Sequence, residues 1–567
     1  MSNPNDDTFL PSGSHPHPYD LAQIRFLDSF GPSGASLFET YRRSRVLAAG
    51  SGTFLLALAT SLLESGLSNL DVLVTEPDQT DRKQLTELAK RVRPWDPVAG
   101  VEIAVLEQPD IHGLQASLRP FDLILYASMD ENASELVRFQ DACLAAGKVL
   151  IPALLTDRYG LAGPVVSPES PHDWESAWFR VHETALAGNC TTTVPCPATA
   201  EKLLSAIVVF EGLKVTTQVM EPEGRGQLYV LDPVTCEGSW HRFDPHPAVR
   251  GITAARLIID LDHRLNVPYG TGDEWWSFLQ RLTSPVMGVF HFWDEGLLSQ
   301  LPLAQCRVQP ADPLTRGPAG LLPELTGVGL THEEARREAG LLGAEAYVSR
   351  MTGAITGMTR PGNGQEHGYA GPPLVFTSIG AGTTPAEGIG RGIQTWLQQE
   401  LADRLQAGPS RAQLLELDFV EDEVCRYELQ ALIHLYGTPV IARCEDLHGF
   451  PVIGVGTGGT WFASPGLHLT LALRRALQLA LEYASSPASS SSVLRRQSAG
   501  LVLEEERHAL TVPAWQQTQL TETVRHALQV LEQHQRSLAV FEINLEPFVP
   551  GEPVEVFGLQ IKEVPSL

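Results

Sequence analysis

The sequence has little positive charge. Lysine and arginine together number 41, against 67 aspartate and glutamate residues, so the formal net charge is −26 at pH 7. A chain this acidic repels the phosphate backbones of DNA and RNA, and we therefore expect no nucleic-acid partner. A basic peptide is a better electrostatic match.

Long apolar runs are also missing. No stretch of the sequence approaches the roughly 20 apolar residues that a membrane-spanning helix needs. The N-terminal sequence MSNPNDD has neither the basic part nor the apolar part of a secretion signal. We expect a cytoplasmic protein with no membrane partner.

Cysteine is scarce and scattered, and the common catalytic motifs are absent. No two cysteines are spaced C-x-x-C, whereas a four-thiolate zinc site usually needs two such pairs. The G-x-S-x-G, H-E-x-x-H and Walker A motifs do not occur. We therefore predict no metal ligand and no catalytic residue, with free and mostly buried thiols. The cysteines are Cys143, Cys190, Cys196, Cys236, Cys306, Cys425 and Cys444.

A glycine turn near the N-terminus is the most informative feature that is present. The run RVLAAGSGTFL at 45–55 predicts a buried strand that enters a turn at Gly50 and Gly52, followed by an apolar helix. A second strand then ends at Glu76. In Rossmann-type units, such a turn holds phosphates and the acid accepts hydrogen bonds from a ribose. Gly50, Gly52 and Glu76 are thus candidate cofactor-binding residues, but Leu55 replaces the third glycine, which predicts a vestigial site.

The pattern of elements predicts two domains of different type. A chain of 567 residues is too long for one core. Predicted strands at 46–49, 72–75, 101–106, 123–126 and 149–152 alternate with helices, which is typical of a parallel α/β sheet. After about residue 251, three segments each combine a glycine pair, a turn and an alanine-rich helix. They predict an α+β domain with helices on one side of an antiparallel or mixed sheet.

Residues 41 to about 250 resemble the ThiF-like superfamily of ubiquitin-activating-type adenylating proteins. The resemblance is closest to the ThiF-like maturation proteins of thiazole-containing bacteriocins. Such proteins are thought to bind the leader of a ribosomal precursor peptide and present it to a YcaO-type cyclodehydratase. The matching segments are VLAAGSGTF at 46–54, SLLESGL at 61–67, FDLILY at 121–126, AGPVV at 162–166, WESAW at 174–178, and 231–240.

The C-terminal half resembles a YcaO domain. The segment LTSPVMGV at 282–289 is similar to the start of such domains, and the three glycine–helix segments follow the order of the YcaO ATP site. The family implies helix-borne acids that hold magnesium and phosphates. At those positions this sequence has Leu342, Thr395 and Leu479, and it keeps Glu345. Leucine offers no oxygen ligand to magnesium, so the resemblance implies a degenerate site with Glu345 as a remnant.

The predicted organisation is therefore a polar, partly disordered segment at 1–40, a ThiF-like domain at 41–250, a connector at 251–280 and a YcaO-like domain at 281–567. The predicted fold class is α/β: a Rossmann-like ThiF-type parallel sheet domain, followed by an α+β YcaO-like domain.

The resemblance implies a non-catalytic scaffold in the biosynthesis of thiazole- or oxazole-modified ribosomal peptides. The expected partners are the precursor leader peptide and a YcaO-type cyclodehydratase, and we expect no cofactor. About 40 residues precede Arg45, too few for the small peptide-recognition domain of such proteins, so a separate recognition protein is a further candidate partner. The alternative function is an active ATP-dependent enzyme, which would bind ATP and magnesium to adenylate a carboxylate or phosphorylate an amide.

Overall fold

The chain divides into two compact units, each described by itself. The first spans Met1–Trp178 and Glu183–Pro245, and the second spans Phe179–His182 and His246–Leu567. The computed structural model describes residues 18–31, 33–92, 100–106, 111–129, 133–187, 198–249, 253–266, 274–357, 374–408, 410–485 and 501–564.

The first unit is built on one eight-stranded sheet in the order β3-β2-β1-β4-β5-β6-β7-β8. Its first five strands are parallel, and β6 to β8 extend it with antiparallel pairs. The strands are β1 (Val46–Gly50), β2 (Asn69–Val74), β3 (Gly100–Val105), β4 (Leu123–Ser128), β5 (Val149–Leu155), β6 (Gly160–Ala162), β7 (Gln227–Leu231) and β8 (Gly238–Arg242). The predicted parallel α/β sheet is confirmed, and the turn after β1 lies where the strand order reverses between β1 and β4.

Helices cover this sheet. The helix that follows the glycine turn, α3 (Gly52–Glu64), is apolar almost all round, because it is buried between the sheet and α9 (Ala198–Thr217). Phe54, Leu55 and Leu58 of α3 join the core beside Leu204 of α9. The other helices up to Leu186 are α1 (Pro18–Asp28), α2 (Gly34–Arg43), α4 (Arg82–Val92), α5 (Ile111–Leu118), α6 (Ala133–Ala146), α7 (Trp174–Arg180) and α8 (Glu183–Leu186).

The second unit contains three sheets, whereas the sequence predicts one. Their orders are β10-β11-β12, β13-β9-β20-β21-β14 and β18-β17-β16-β15-β19. The strands are β9 (Thr253–Leu257), β10 (Phe290–Asp294), β11 (Ala304–Pro310), β12 (Leu325–Gly329), β13 (Thr356–Gly357), β14 (Ser378–Gly382), β15 (Ser410–Val420), β16 (Val440–Leu447), β17 (Phe450–Thr457), β18 (Thr460–Pro465), β19 (Leu501–Val512), β20 (Arg536–Leu545) and β21 (Glu555–Glu563).

Three long helices pack on these sheets. Helix α12 packs on β11 and β12, α13 on β14 and β21, and α15 on β17 and β18. The helices of this unit are α10 (Leu261–Leu265), α11 (Glu274–Arg281), α12 (His332–Met351), α13 (Pro385–Ala407), α14 (Glu423–Tyr436), α15 (Leu469–Ser485) and α16 (Leu520–Gln533), with short 3₁₀ turns at Thr352–Ala354 and Gln517–Gln519. Each sheet therefore has its own covering helix.

Two of the glycine pairs allow helix and strand to approach closely. A Cβ atom on Gly380 would lie 2.0 Å from the carbonyl oxygen of Gly388, and one on Gly327 would lie 2.2 Å from the amide nitrogen of Ala339. The third pair differs from the prediction, because Gly454 lies inside β17 and α15 begins only after the next strand. These glycines serve backbone packing, which explains why they repeat without a phosphate ligand.

The predicted connector and the predicted polar N-terminal segment both contain regular elements. The predicted connector at 251–280 includes β9, which lies in the five-stranded sheet, and α11. Helices α1 and α2 fall in the predicted polar segment, whose first 17 residues lie outside the described residues. Most of the serine-rich run predicted as a surface loop at 484–492 also lies outside them.

The described cysteines are free thiols, and none of the described helices has the length and apolar character to cross a bilayer. Burial raises the pKa of Cys143 and of Cys306 to about 12, which keeps both thiols protonated and unreactive. Cys190 and Cys196 lie outside the described residues.

Candidate functional site

The glycine turn of the first unit has the backbone of a nucleotide turn. Gly50 has a φ of +136°, and a Cβ atom there would lie 1.8 Å from the carbonyl oxygen of Ala127. The same oxygen accepts a hydrogen bond of 3.1 Å from the amide of Ser51. No side chain fits between β1 and β4 at this point, so the fold itself requires Gly50.

The turn amide that a phosphate would contact is already bonded. The amide of Gly52, whose φ is +73°, donates to Oγ1 of Thr80 at 2.9 Å. Thr80 in turn donates its hydroxyl proton to the carbonyl oxygen of Glu76, also at 2.9 Å. This buried threonine bridges the glycine turn and the loop after β2, and it takes the place of a ligand oxygen at the turn.

An internal carboxylate lies at the start of α3. Thr53, in the first turn of the helix, donates its hydroxyl proton to Oε1 of Glu201 at 2.7 Å. Glu201 comes from the first turn of α9. Because the partial positive charge at a helix N-terminus favours anions, the carboxylate occupies the environment that a phosphate would need. A nucleotide phosphate here would meet like charge.

Glu76 is the candidate residue of this turn that keeps a free acceptor. Its Oε2 atom is buried and has no hydrogen-bond partner among the described residues. Burial raises the pKa of the neighbouring Glu135, and repulsion from the Glu76 carboxylate adds to this rise. Leu55, in the position of the third glycine, is fully buried in the core. The acid that would hold a ribose is thus available, while the phosphate contacts are not.

In the second unit, Glu345 belongs to a cluster of charges between α12 and α13. Arg391 of α13 donates from Nε to Oε1 of Glu345 at 2.7 Å and from Nη2 to Oε2 at 3.0 Å. Its Nη1 donates to Oε2 of Glu338 at 2.5 Å. Glu338 and Glu345 are seven residues apart and lie on one face of α12. One guanidinium therefore bridges both carboxylates.

Further contacts fix this cluster. Oε1 of Glu345 also accepts a hydrogen bond of 3.0 Å from the amide of Ala381, at the end of β14. Burial raises the pKa of Glu345, against the opposing effect of Arg391. For Glu338, burial raises the pKa, but Arg391, Arg475 and Arg337 together lower it more. The bidentate guanidinium supplies the positive charge that the YcaO resemblance assigns to a metal.

The third helix adds a weaker pair. Nη1 of Arg475 lies 3.4 Å from Oε1 of Glu482. The two residues are seven positions apart and lie on one face of α15. Burial raises the pKa of Glu482; Arg475 opposes this rise, and the charge of Glu338 adds to it. Leu479 is in the apolar core. In the described residues, no three carboxylate, histidine or cysteine side chains converge into a group that could hold a metal ion.

The start of α13 is also closed by an internal carboxylate. Oε2 of Glu387 accepts hydrogen bonds from the amide of Thr383 at 2.9 Å and from Nη2 of Arg337 at 2.5 Å. A cleft of about 610 Å³ lies at the N-termini of α12 and α13. Its lining combines four acids, Glu274, Glu333, Glu334 and Glu552, with Arg337 and uncharged residues.

The structure places the predicted site residues in two separate groups. Gly50, Gly52 and Glu76 come together at the switch point of the first sheet, and Glu345 lies in the helix cluster. Thr395 occupies a position at which the YcaO resemblance implies an acid, and its side chain is exposed. Arg391, one helical turn earlier, faces inward.

Sequence reasoning missed Thr80, Glu201, Glu338 and Arg391. Glu338 and Glu345 have the i, i+7 spacing of one helix face, which was a usable signal. Nothing in the local sequence indicates that Arg391 pairs with them, because the partners lie on different helices.

The fold is similar to that of a solved heterocyclase structure. A structure described as a heterocyclase in complex with substrate and cofactor superposes on 97% of this chain and 84% of that chain, with a TM-score of 0.59 and 12% identity. MccB from E. coli covers 42% of this chain and 72% of its own, with a TM-score of 0.34 and 12% identity. No family model and no curated protein matches the sequence. The likeness to the heterocyclase shows a shared fold over nearly the whole chain.

Proposed function

We propose that this chain is a non-catalytic scaffold in the biosynthesis of thiazole- or oxazole-modified ribosomal peptides. It binds the precursor peptide and presents it to a separate YcaO-type cyclodehydratase. The observation that carries the proposal is that the chain's own side chains satisfy the groups a nucleotide and its metal would contact. Arg391 bridges Glu338 and Glu345, and Thr80 bonds the amide of Gly52. The full-length likeness to a heterocyclase fold supports the peptide-modifying setting.

ATP and magnesium do not fit the residues present. In the first unit, the Glu201 carboxylate would repel phosphates at the start of α3. In the second unit, a magnesium ion between Glu338 and Glu345 would have to displace the Arg391 guanidinium and would find too few oxygen ligands. We therefore derive no phosphoryl or adenylyl transfer step for this chain.

The alternative function, an ATP-dependent enzyme, has one observation in its favour. The unpartnered Oε2 atom of Glu76 is placed as an acceptor for a ribose hydroxyl. A ribose contact alone supplies no means of holding the triphosphate for reaction. This observation favours residual nucleoside binding over catalysis.

A scaffold accelerates a reaction by raising the effective concentration of substrate at a partner enzyme. The test reconstitutes the partner cyclodehydratase and its precursor with and without this chain, and follows water loss from the peptide by mass spectrometry. We expect faster heterocycle formation with the chain present when the precursor is below saturation, and the same rate with the Glu76→Gln variant. Equal rates with and without the chain would contradict the scaffold function. Heterocycle formation by this chain in the absence of the partner would establish the enzyme alternative.

A further inference from the structure

Strand β19 forms an outer edge of the second unit. It is the last strand of the sheet β18-β17-β16-β15-β19 and pairs in parallel with β15. β16 pairs with β15 only over Ala412–Leu415, so within the described residues Glu416–Val420 pairs with β19 alone. The two strands thus continue beyond the sheet as a ribbon. The outer edge of β19, on the side away from β15, presents backbone donors and acceptors.

The ribbon is held firmly on its inner side. Leu417, Val420 and Leu510 pack against the core around α14 and α15, and Val512 is fully buried in it. A bulge of two extra residues separates the paired run Leu501–Glu504 from the run Arg507–Val512. The second run has six residues, which is the ordinary length of a strand. The edge of β19 is therefore continuous over these six residues, while β15 carries a further bulge opposite it between Leu417 and Phe419.

The side chains around this edge are acidic. Glu504 and Glu506 are exposed at the bulge, and Glu416 and Asp418 are exposed on the neighbouring strand. Arg411 of β15 and Arg507 of β19 are exposed basic side chains on the same two strands, and His508 is exposed beside Arg507. Exposed apolar side chains accompany the charges, with Phe419 62% exposed. The surface combines hydrogen-bonding backbone, apolar contacts and negative charge.

We propose that this edge binds an extended, basic peptide segment by strand addition. An added strand gains main-chain hydrogen bonds along the edge, while flanking side chains set the specificity. The acids select against a second copy of this chain, whose own edge carries the same charges, and in favour of lysine- or arginine-rich peptides. The inference rests on the proposed function, because it locates the peptide contact that a scaffold needs.

The experiment uses the full chain and a fluorescent 12-residue peptide of alternating valine and lysine. Binding is followed by anisotropy, and its location by backbone hydrogen exchange. We expect protection of residues 507–512 on binding. A peptide methylated on alternate backbone nitrogens should lose binding, because it cannot complete the hydrogen-bond ladder.

Matched variants separate site-specific binding from general charge attraction. Glu504→Lys combined with Glu506→Lys should weaken binding about tenfold, since each rim charge pair contributes up to about 1 kcal/mol. Glu64→Lys combined with Glu532→Lys makes the same change in net charge at other exposed acids and should weaken binding less than twofold.

Equal weakening by both pairs of variants, unchanged binding of the methylated peptide, or protection away from 507–512 would overturn the inference. Protection of this edge in the free protein that rises with protein concentration would overturn it in favour of self-association. If the chain accelerates the partner enzyme but binds no peptide at β19, the inference fails and the scaffold function stands. If it does neither, both fail.

Discussion

The two candidate nucleotide regions pair their polar groups within the chain in opposite ways. In the first unit, backbone and hydroxyl donors at a helix N-terminus meet the chain's own acceptors, Thr80 and Glu201. In the second unit, carboxylates meet the chain's own cation, Arg391. The comparison teaches that polar groups at such a region need partners, because unpaired buried donors and charges are costly. It also predicts that stability depends more on the pairs of the second region, since there both partners are charged and partly buried.

Arg391→Met should produce the largest effect on stability. It leaves Glu338 and Glu345 without their cation, and breaking such an inward-facing pair costs about 3 kcal/mol of unfolding free energy. Urea denaturation measures the loss. Arg443→Met, which removes the more exposed pair with Asp446, is the control and should cost less than about 1 kcal/mol. If the triple variant Arg391→Met/Glu338→Gln/Glu345→Gln failed to recover stability, charge pairing would not be the reason.

Gly50→Ala tests the backbone of the first region. The added Cβ atom would overlap the carbonyl oxygen of Ala127 at a φ that alanine rarely adopts, so we expect a loss of about 2–3 kcal/mol. Gly52→Ala places its Cβ 3.7 Å from Sδ of Met129 and should cost only about 1 kcal/mol. Thermal unfolding of the two variants gives the comparison. Equal losses would show that the close approach of β1 and β4 is not what requires glycine.

Glu428→Gln extends the comparison to a buried acid that forms no salt bridge among the described residues. Glu428 is fully buried, and burial raises its pKa to about 8, while Nε2 of Gln478 donates a hydrogen bond to its Oε1 atom. Between the unfolded pKa near 4.5 and this value, the folded protein holds more protons, so stability falls as pH rises through this window. Replacing the carboxyl should raise stability at pH 9 by about 2 kcal/mol and leave it nearly unchanged at pH 5. The midpoints of urea unfolding at the two pH values test this prediction. An equal increase of the midpoint at both pH values would contradict it.

Thr80→Val should have the smallest effect. It removes the hydroxyl that bridges the amide of Gly52 and the carbonyl of Glu76, at a cost of about 1 kcal/mol. Thr86→Val is the control, because the hydroxyl of Thr86 is exposed and bonds only its own helix. A Thr80→Val effect no larger than that of the control, measured by chemical denaturation, would mean that the bridge is dispensable.

The sequence predicts the elements whose signals are local. The buried strand before Gly50, the helix after it and the acid at Glu76 follow from periodicity and turn chemistry, and they are confirmed within a few residues. The short helix α2 and the two-stranded ribbon of β15 and β19 were missed. The parallel pairing of these two strands joins residues about 90 positions apart, and no local pattern specifies it.

The sequence selects Gly50, Gly52, Glu76 and Glu345 as candidate site residues, and their role stays a prediction. What they contact depends on long-range partners. Arg391 comes from a different helix than Glu345, and Glu201 lies almost 150 residues after Thr53. The pairing of these charges could therefore be identified only from the three-dimensional structure.

The most direct test of this internal pairing at both regions is binding of ATP to the purified full chain, measured by equilibrium dialysis with and without magnesium. We predict no magnesium-dependent, saturable binding of ATP at millimolar concentration, and at most a weak, magnesium-independent contact that Glu76→Gln removes. Saturable binding that requires magnesium and is abolished by Glu345→Gln would contradict the account, because it would show that Arg391 yields its place to a metal.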